Sequence, residues 1–242
     1  HPRRRLPVTP AIPQIATEAA AAYRRAGPWA YRFARGKLSG DPLFAALLAP
    51  GLLPARARYL DLGCGQGLLA AWLLAAARLH ARRSPAADAP PPAIARYHGI
   101  ELLDAAVRRG RIALADHPFV TLESGDATAA PLPAADVVCL IDVLHYIPAA
   151  SQEALLARIR SGLAGDGRLL LRVGDAAAGL PYRLSRWTDS LVVLAHSGRL
   201  PRLHGRPLAD WLALLRQLGY RSETRPMGGA GFANVLILAE PD

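Results

Sequence analysis

Lysine is almost missing from this 242-residue chain: of its 29 Lys and Arg residues, only Lys37 is a lysine. Sulfur is as scarce, with Cys64, Cys139 and Met227 making up the whole complement. Two cysteines far apart in apolar surroundings build neither a disulfide framework nor a zinc site, and they read as reduced core thiols of a cytoplasmic protein. No apolar run approaches the roughly 18 residues of a membrane-spanning helix, and no secretory leader is expected. Aromatic residues reach only 6%. Against these absences stand 52% apolar and 20% charged residues, the balance of a folded chain long enough for one large α/β domain. The formal net charge of +10 comes almost wholly from arginine. Part of it reflects the overall Ala, Arg, Leu and Pro bias, and the remainder implies an anionic partner or substrate. The basic residues are scattered through predicted helices and loops with no aromatic-interleaved strand, which argues against nucleic-acid binding.

The chain is organised around Tyr59-Leu-Asp-Leu-Gly-Cys-Gly-Gln-Gly-Leu68. An apolar run suited to a buried parallel strand passes through glycines at 63, 65 and 67 into an Ala/Leu-rich helix. Strand, glycine turn and helix form the ligand-binding corner of a doubly wound fold, and Asp61 brings a carboxylate to it. A dinucleotide fingerprint would need glycine at position 68, where Leu68 stands, and a P-loop would need Gly-Lys-Ser/Thr where Gly67-Leu68-Leu69 follows. A carboxylate at this corner suits a ligand with positive charge or hydroxyl groups. The second predicted strand, 95–100, ends in Glu101, a carboxylate placed to accept hydrogen bonds from both ribose hydroxyls. The polar cluster Asp142, His145 and Tyr146, closed by Pro148, ends an apolar fourth strand that starts at Ala135.

The Asp-x-Gly-x-Gly-x-Gly string resembles the first motif of the class I S-adenosylmethionine-dependent methyltransferases. That resemblance implies a Rossmann-like, doubly wound seven-stranded sheet with helices on both faces and an antiparallel C-terminal edge hairpin. It implies S-adenosyl-L-methionine as cofactor, held by Asp61, Gly63, Cys64, Gly65, Gly67, Glu101 and Leu102. Asp126 and Ala127 match the places that meet the adenine amino group and ring, with a plain Asx-turn as the other reading of Ser124-Gly-Asp-Ala127. The stretch from Asp142 to Pro148 resembles the fourth motif of the small-molecule members, beside the reactive sulfonium. Asp142 is expected to orient the amino end of the cofactor, His145 to act as a base, and Tyr146 to wall the site. Neither Asn/Asp-Pro-Pro-aromatic nor Pro-Cys stands there, which excludes the amino- and cytosine-methylating nucleic-acid enzymes.

Residues 1–50 are expected to form an N-terminal helical lid and 51–242 the methyltransferase domain. The first thirteen residues, with Arg3-Arg4-Arg5, read as a solvated leader. Helical pattern over 14–34 breaks at Gly27-Pro28, and Asp41 is placed to cap a short helix, 43–48. The crossover helix 68–79 runs into a Pro-rich loop insertion, 80–93. Further helices are predicted at 103–115, at 151–163 (capped by Ser151 and ended by Gly165-Asp166-Gly167) and at 208–218. The remaining strands are placed at 119–123, 168–173, 220–224 and 233–239. The segment 174–207, with His196 and His204 as weaker alternatives to His145, is expected to cover the acceptor pocket. The string from Gly27 to Leu38 resembles bacterial methyltransferases of fatty-acid or polyketide-type pathways. It implies an acidic acyl carrier protein docking on Arg24, Arg25, Arg32, Arg35 and Lys37. The alternative acceptor is a free small carboxylate, phenol or amine, its carboxylate paired by insertion arginines.

Overall fold

The computed structural model describes residues 12–83, 90–175, 203–227 and 234–242. The leader, the centre of the Pro-rich insertion and most of the expected acceptor-covering segment lie outside the described residues.

Two helices, α1 (Ile12–Ala21) and α2 (Pro28–Gly40), flank a 3-10 turn at Ala22–Ala26, and the short α3 (Pro42–Ala46) follows. Gly27 makes the expected break with a φ of 108°. Asp41 caps α3, its Oδ1 accepting from the Leu43 N–H at 3.0 Å. Strands β1 (Arg56–Leu62), β2 (Ala93–Glu101), β3 (Val120–Ser124), β4 (Ala135–Ile141) and β5 (Leu163–Gly174) alternate with α4 (Leu68–Arg83), α5 (Asp104–Ala113) and α6 (Ala149–Gly162). Helix α7 (Leu208–Gln217), β6 (Tyr220–Pro226) and β7 (Asn234–Pro241) close the chain.

The seven strands stand in the order β3-β2-β1-β4-β5-β7-β6. All pairings among β1 to β5 are parallel, and β7 runs antiparallel between β5 and β6. Strand order reverses between β1 and β4, so their carboxyl ends open the crevice where ligands bind in such sheets. Side chains alternate faces along β1: Tyr59 joins the core under α1 to α4, and Leu60 joins the core under α6 and α7. Tyr23 of the N-terminal segment is fully buried in the first of these cores, which also holds Trp72 of α4.

Several boundaries differ from the sequence reading, three of them in ways that bear on caps and loops. Helix α6 starts at Ala149 with Pro148 at its N-cap, so Ser151 lies inside the helix and caps nothing; the fixed φ of proline sets the entry. Leu163, buried and paired with Ala135, pulls the chain into β5 before Gly165 and Gly167 are reached. Gly167 then serves a close approach, since a Cβ there would lie 2.7 Å from Leu163 Cγ. Helix α4 runs on to Arg83, into the stretch expected to be a loop. Among the described residues, no helix is long and apolar enough to cross a membrane, and no group of His, Cys, Asp or Glu is placed to hold a metal.

Candidate functional site

The glycine turn is fixed from both neighbouring strands. Ile100 O accepts from the N–H groups of Gly63 (2.7 Å) and Cys64 (3.2 Å), which staples the turn to the end of β2. Gly63, at φ 76°, abuts the exit of β4: a Cβ there would lie 2.1 Å from Val143 Cγ2. Gly65, at φ 57°, has open space instead, with nothing within 4 Å of an added Cβ. Cys64 is buried, and its thiol sits behind the turn against Gly99, where an added Cβ would meet Sγ at 2.6 Å. Behind the turn, Tyr23 Oη donates to Gln66 O at 2.8 Å and Gln66 Nε2 donates to Ala30 O at 3.3 Å. The N-terminal helices thus hold the turn's far side.

Glu101 is half-buried, and its carboxylate bridges two backbone donors. Oε2 accepts from the Gly65 N–H and Oε1 from the Leu103 N–H, each at 2.9 Å. Each oxygen keeps a further lone pair, the arrangement a ribose diol requires. Leu102, beside it, is an apolar side chain left 71% exposed. Asp126 is exposed and forms the Asx-turn, its Oδ1 accepting from Thr128 N at 2.8 Å and Thr128 Oγ1 at 2.7 Å. Ala127 is half-buried on the adjoining position.

The two aspartates that end β1 and exit β4 have opposite electrostatics. Asp61 is buried, and Tyr97 Oη donates to its Oδ2. Burial pushes its carboxyl up to about 7, the Tyr97 hydrogen bond pulls down, and the nearby Glu101 carboxylate pushes up. Asp142 sits at φ 59°, the one described non-glycine residue with positive φ. Burial opposes its charge, but Arg172 and Lys37 prevail and hold the carboxyl well below the usual range. Arg172 on β5 donates from Nε to Asp142 Oδ1 at 2.7 Å and from Nη2 to Asp142 Oδ2. It also grips Asp41, with Nη1 to Oδ1 at 2.5 Å and Nη2 to Oδ2 at 2.7 Å. Lys37 Nζ lies 2.9 Å from Asp41 Oδ2 and 3.4 Å from Asp142 Oδ2.

Beyond Asp142, the 3-10 turn Leu144–Tyr146 carries His145 and Tyr146, with ring centroids 4.1 Å apart. Gln152 of α6, fully buried, fixes this turn: its Nε2 donates to Leu144 O (2.8 Å), Ile147 O (2.9 Å) and His204 O (2.9 Å). Arg206 Nε donates to Gln152 Oε1 at 2.8 Å, and the His204 N–H donates to His145 O at 2.7 Å. His204 is therefore tied in through its backbone, beside His145, while His196 lies outside the described residues.

The structure thus gathers Asp61, the three glycines, Glu101 and Leu102 at the ends of β1 and β2, and Asp142, His145 and Tyr146 beyond β4. Sequence reasoning missed Tyr97, Asp41 as a partner of Arg172, Arg172 itself and Gln152. Tyr97 and Arg172 carried no signal, because their partners depend on strand register. Gln152 was a lone amide on an otherwise apolar helix face, and that anomaly could have marked it.

The fold is shared with solved methyltransferases. An O-methyltransferase family protein from Burkholderia thailandensis superposes with a TM-score of 0.61 at 20% identity, over 90% of this chain and 62% of that one. Human N-acetylserotonin methyltransferase in complex with SAM gives 0.60 at 20%, over 93% and 59%. The chain therefore spans about three fifths of the length of these two. Magnesium protoporphyrin IX methyltransferase from Synechocystis with bound SAH gives 0.57 at 17% identity, over 96% and 98%. No curated protein matches the sequence. The sequence model of the methyltransferase domain matches residues 29–221, which run from α2 through the glycine turn, the Glu101 clasp and the β4 exit to the start of β6; the chain belongs to the methyltransferase-domain family.

Proposed function

We propose that the chain transfers a methyl group from S-adenosyl-L-methionine to a small organic acceptor. The observation that carries this reading is the Glu101 clasp: a carboxylate held by the Gly65 and Leu103 N–H groups at the strand-order reversal, beside an open Gly65. The residues fit the cofactor. Glu101 would take the ribose hydroxyls, Leu102 would lie against the adenine, Asp126 and Ala127 would meet its edge, and Gly65 would let the ligand reach the backbone. The cofactor supplies a methyl group already activated on sulfonium. What remains for the chain is to hold the acceptor in line and exclude water, an effect that can contribute about 7 to 11 kcal/mol to the barrier. His145, on a turn that Gln152 fixes, takes the acceptor's proton, and Tyr146 walls the site. The N-terminal segment 1–50 acts as a cap and 51–242 as the catalytic domain, and the buried Tyr23 favours a fixed cap over a swinging one.

The test is a thermal-unfolding shift with the cofactor and with its demethylated product, S-adenosylhomocysteine. A ligand at about 100 times its Kd stabilises a one-site binder by about 2.7 kcal/mol. The shift is expected in the parent and weakened in Glu101→Ala and Asp126→Ala; a folded parent that shows none refutes the reading.

For the acceptor, the reading extends to an acyl or aryl intermediate on an acidic carrier protein. Arg25 is paired with Asp116 at 2.7 Å and Lys37 belongs to the aspartate cluster, so the docking face is Arg24, Arg32 and Arg35, all exposed. Charge reversal at Arg32 and Arg35 is expected to raise KM for a carrier-bound acceptor and leave cofactor affinity unchanged. Equal loss of both would leave the free carboxylate, phenol or amine as the acceptor.

A further inference from the structure

Lys37 is the most exposed member of a four-residue charge cluster with Asp41, Asp142 and Arg172. Arg172, with 3% of its side chain exposed, spends its guanidinium on Asp41 and Asp142. Two carboxylates against one guanidinium leave one negative charge, and the Lys37 ammonium cancels it. Its own side chain is 39% exposed, and that of Asp142 is 27% exposed. Burial works against the Lys37 charge, while Asp142 and Asp41 outweigh both burial and Arg172 and hold it protonated.

The place of this pair matters. Glu101, Gly63 and Asp142 end or follow three neighbouring strands in the order β2-β1-β4. Adjacent strands lie about 4.8 Å apart, so a ligand crossing from Glu101 past the glycine turn meets Asp142 after about 10 Å. Gly63 packs against Val143, directly after Asp142, so the turn and the cluster share a wall. A nucleoside whose ribose sits on Glu101 therefore delivers its other end to Lys37 and Asp142. In S-adenosylmethionine that end is an amino-acid zwitterion, one ammonium and one carboxylate.

We propose that Lys37 and Asp142, 3.4 Å apart, form a receptor for the amino-acid end of the cofactor that works by exchange of partners. The ligand ammonium takes the place of Lys37 on Asp142 Oδ2, where the existing separation of 3.4 Å is the looser of the two lysine contacts. Lys37, still tied to Asp41 at 2.9 Å, turns its remaining donors to the ligand carboxylate. A zwitterion adds no net charge, so the cluster stays neutral throughout. Lys37 thereby selects cofactors that keep the carboxylate. This inference rests on the cofactor reading above.

The experiment measures, by calorimetry, Kd for S-adenosylhomocysteine, for its decarboxylated analogue and for 5′-methylthioadenosine, which lacks the amino-acid end. In the parent, S-adenosylhomocysteine is expected to bind about 10- to 100-fold tighter than the decarboxylated analogue, the range of a charged hydrogen bond. Lys37→Met is expected to lose that factor for S-adenosylhomocysteine, to leave 5′-methylthioadenosine within about twofold, and to bind the decarboxylated analogue, whose ammonium then meets an uncontested Asp142, at least as tightly as the parent does, the pattern of a double-mutant cycle between side chain and carboxylate. Lys37→Arg keeps the charge and is expected to retain most of the preference. Because the readout is a ratio of affinities for one folded state, partial unfolding of a variant does not imitate the result. Equal weakening of all three ligands by Lys37→Met, or an unchanged preference, overturns the proposal. A folded parent that binds none of the three overturns the cofactor reading itself.

Discussion

Asp61 and Asp142 lie at the ends of neighbouring strands, yet the fold treats them as opposites. Asp61 faces a phenol, two buried thiols and another carboxylate, from Tyr97, Cys64, Cys139 and Glu101, and its proton is held to about 7. Asp142 faces a guanidinium and an ammonium and stays ionised. Burial pushes both carboxyls the same way, so the difference comes from partners alone. The chain leaves one strand end electrostatically unfinished and completes the other. A cationic ligand gains most at the first and must exchange with a resident cation at the second.

The strongest way to break this contrast is to remove the cation from the finished end. Arg172→Met leaves Asp41 and Asp142 with Lys37 alone, and the expected loss is about 3 to 5 kcal/mol of stability, read from the urea midpoint. Glu101→Gln weakens the unfinished end from its other side. An amide nitrogen cannot accept from Gly65 or Leu103, and cofactor affinity should fall by about 1.5 to 3 kcal/mol in a titration while folding is largely kept.

A pH series sharpens the comparison further. The Asp61 carboxyl is raised in the folded state, so the folded protein binds the extra proton between about 4 and 7, and stability falls as pH rises through that window. Asp142 and Asp41 are depressed, so the stability they contribute is present above about 4 and is lost as pH falls below it. The empty protein should therefore be most stable on the acid side of neutrality. Asp61→Asn should flatten the limb between 4 and 7 and gain about 1 to 3 kcal/mol at pH 8, measured by denaturant unfolding. The smallest effect is expected at Asp126→Ala, where loss of the Asx-turn costs about 0.5 to 1.5 kcal/mol of stability.

The legible part of this molecule was its strands and turns. Apolar runs, the glycine spacing and the acidic strand ends placed Asp61, Glu101 and Asp142 in one crevice, and the antiparallel closing pair came with the resemblance to the methyltransferases. Partner identity was not legible, because it depends on register and on long-range approach. Arg172 reads as one more charge in a strand until β5 is laid beside β4, and Asp41 reads as a helix cap, which it also is. Lys37 was assigned to a docking face by its neighbours in sequence, whereas its partners are Asp41, one helical turn on, and Asp142, 105 residues away. The end of α6 failed for a similar reason: a buried leucine outweighed the turn preference of Gly165 and Gly167.

The scarcity of lysine gives the cluster an experimental handle. An acylating reagent selective for amines meets a single ε-amino group in this sequence, and that group is held protonated between two carboxylates. Its modification should be slow, and the mass of one peptide would record, without any engineered label, how often the crevice opens its charged edge to solvent.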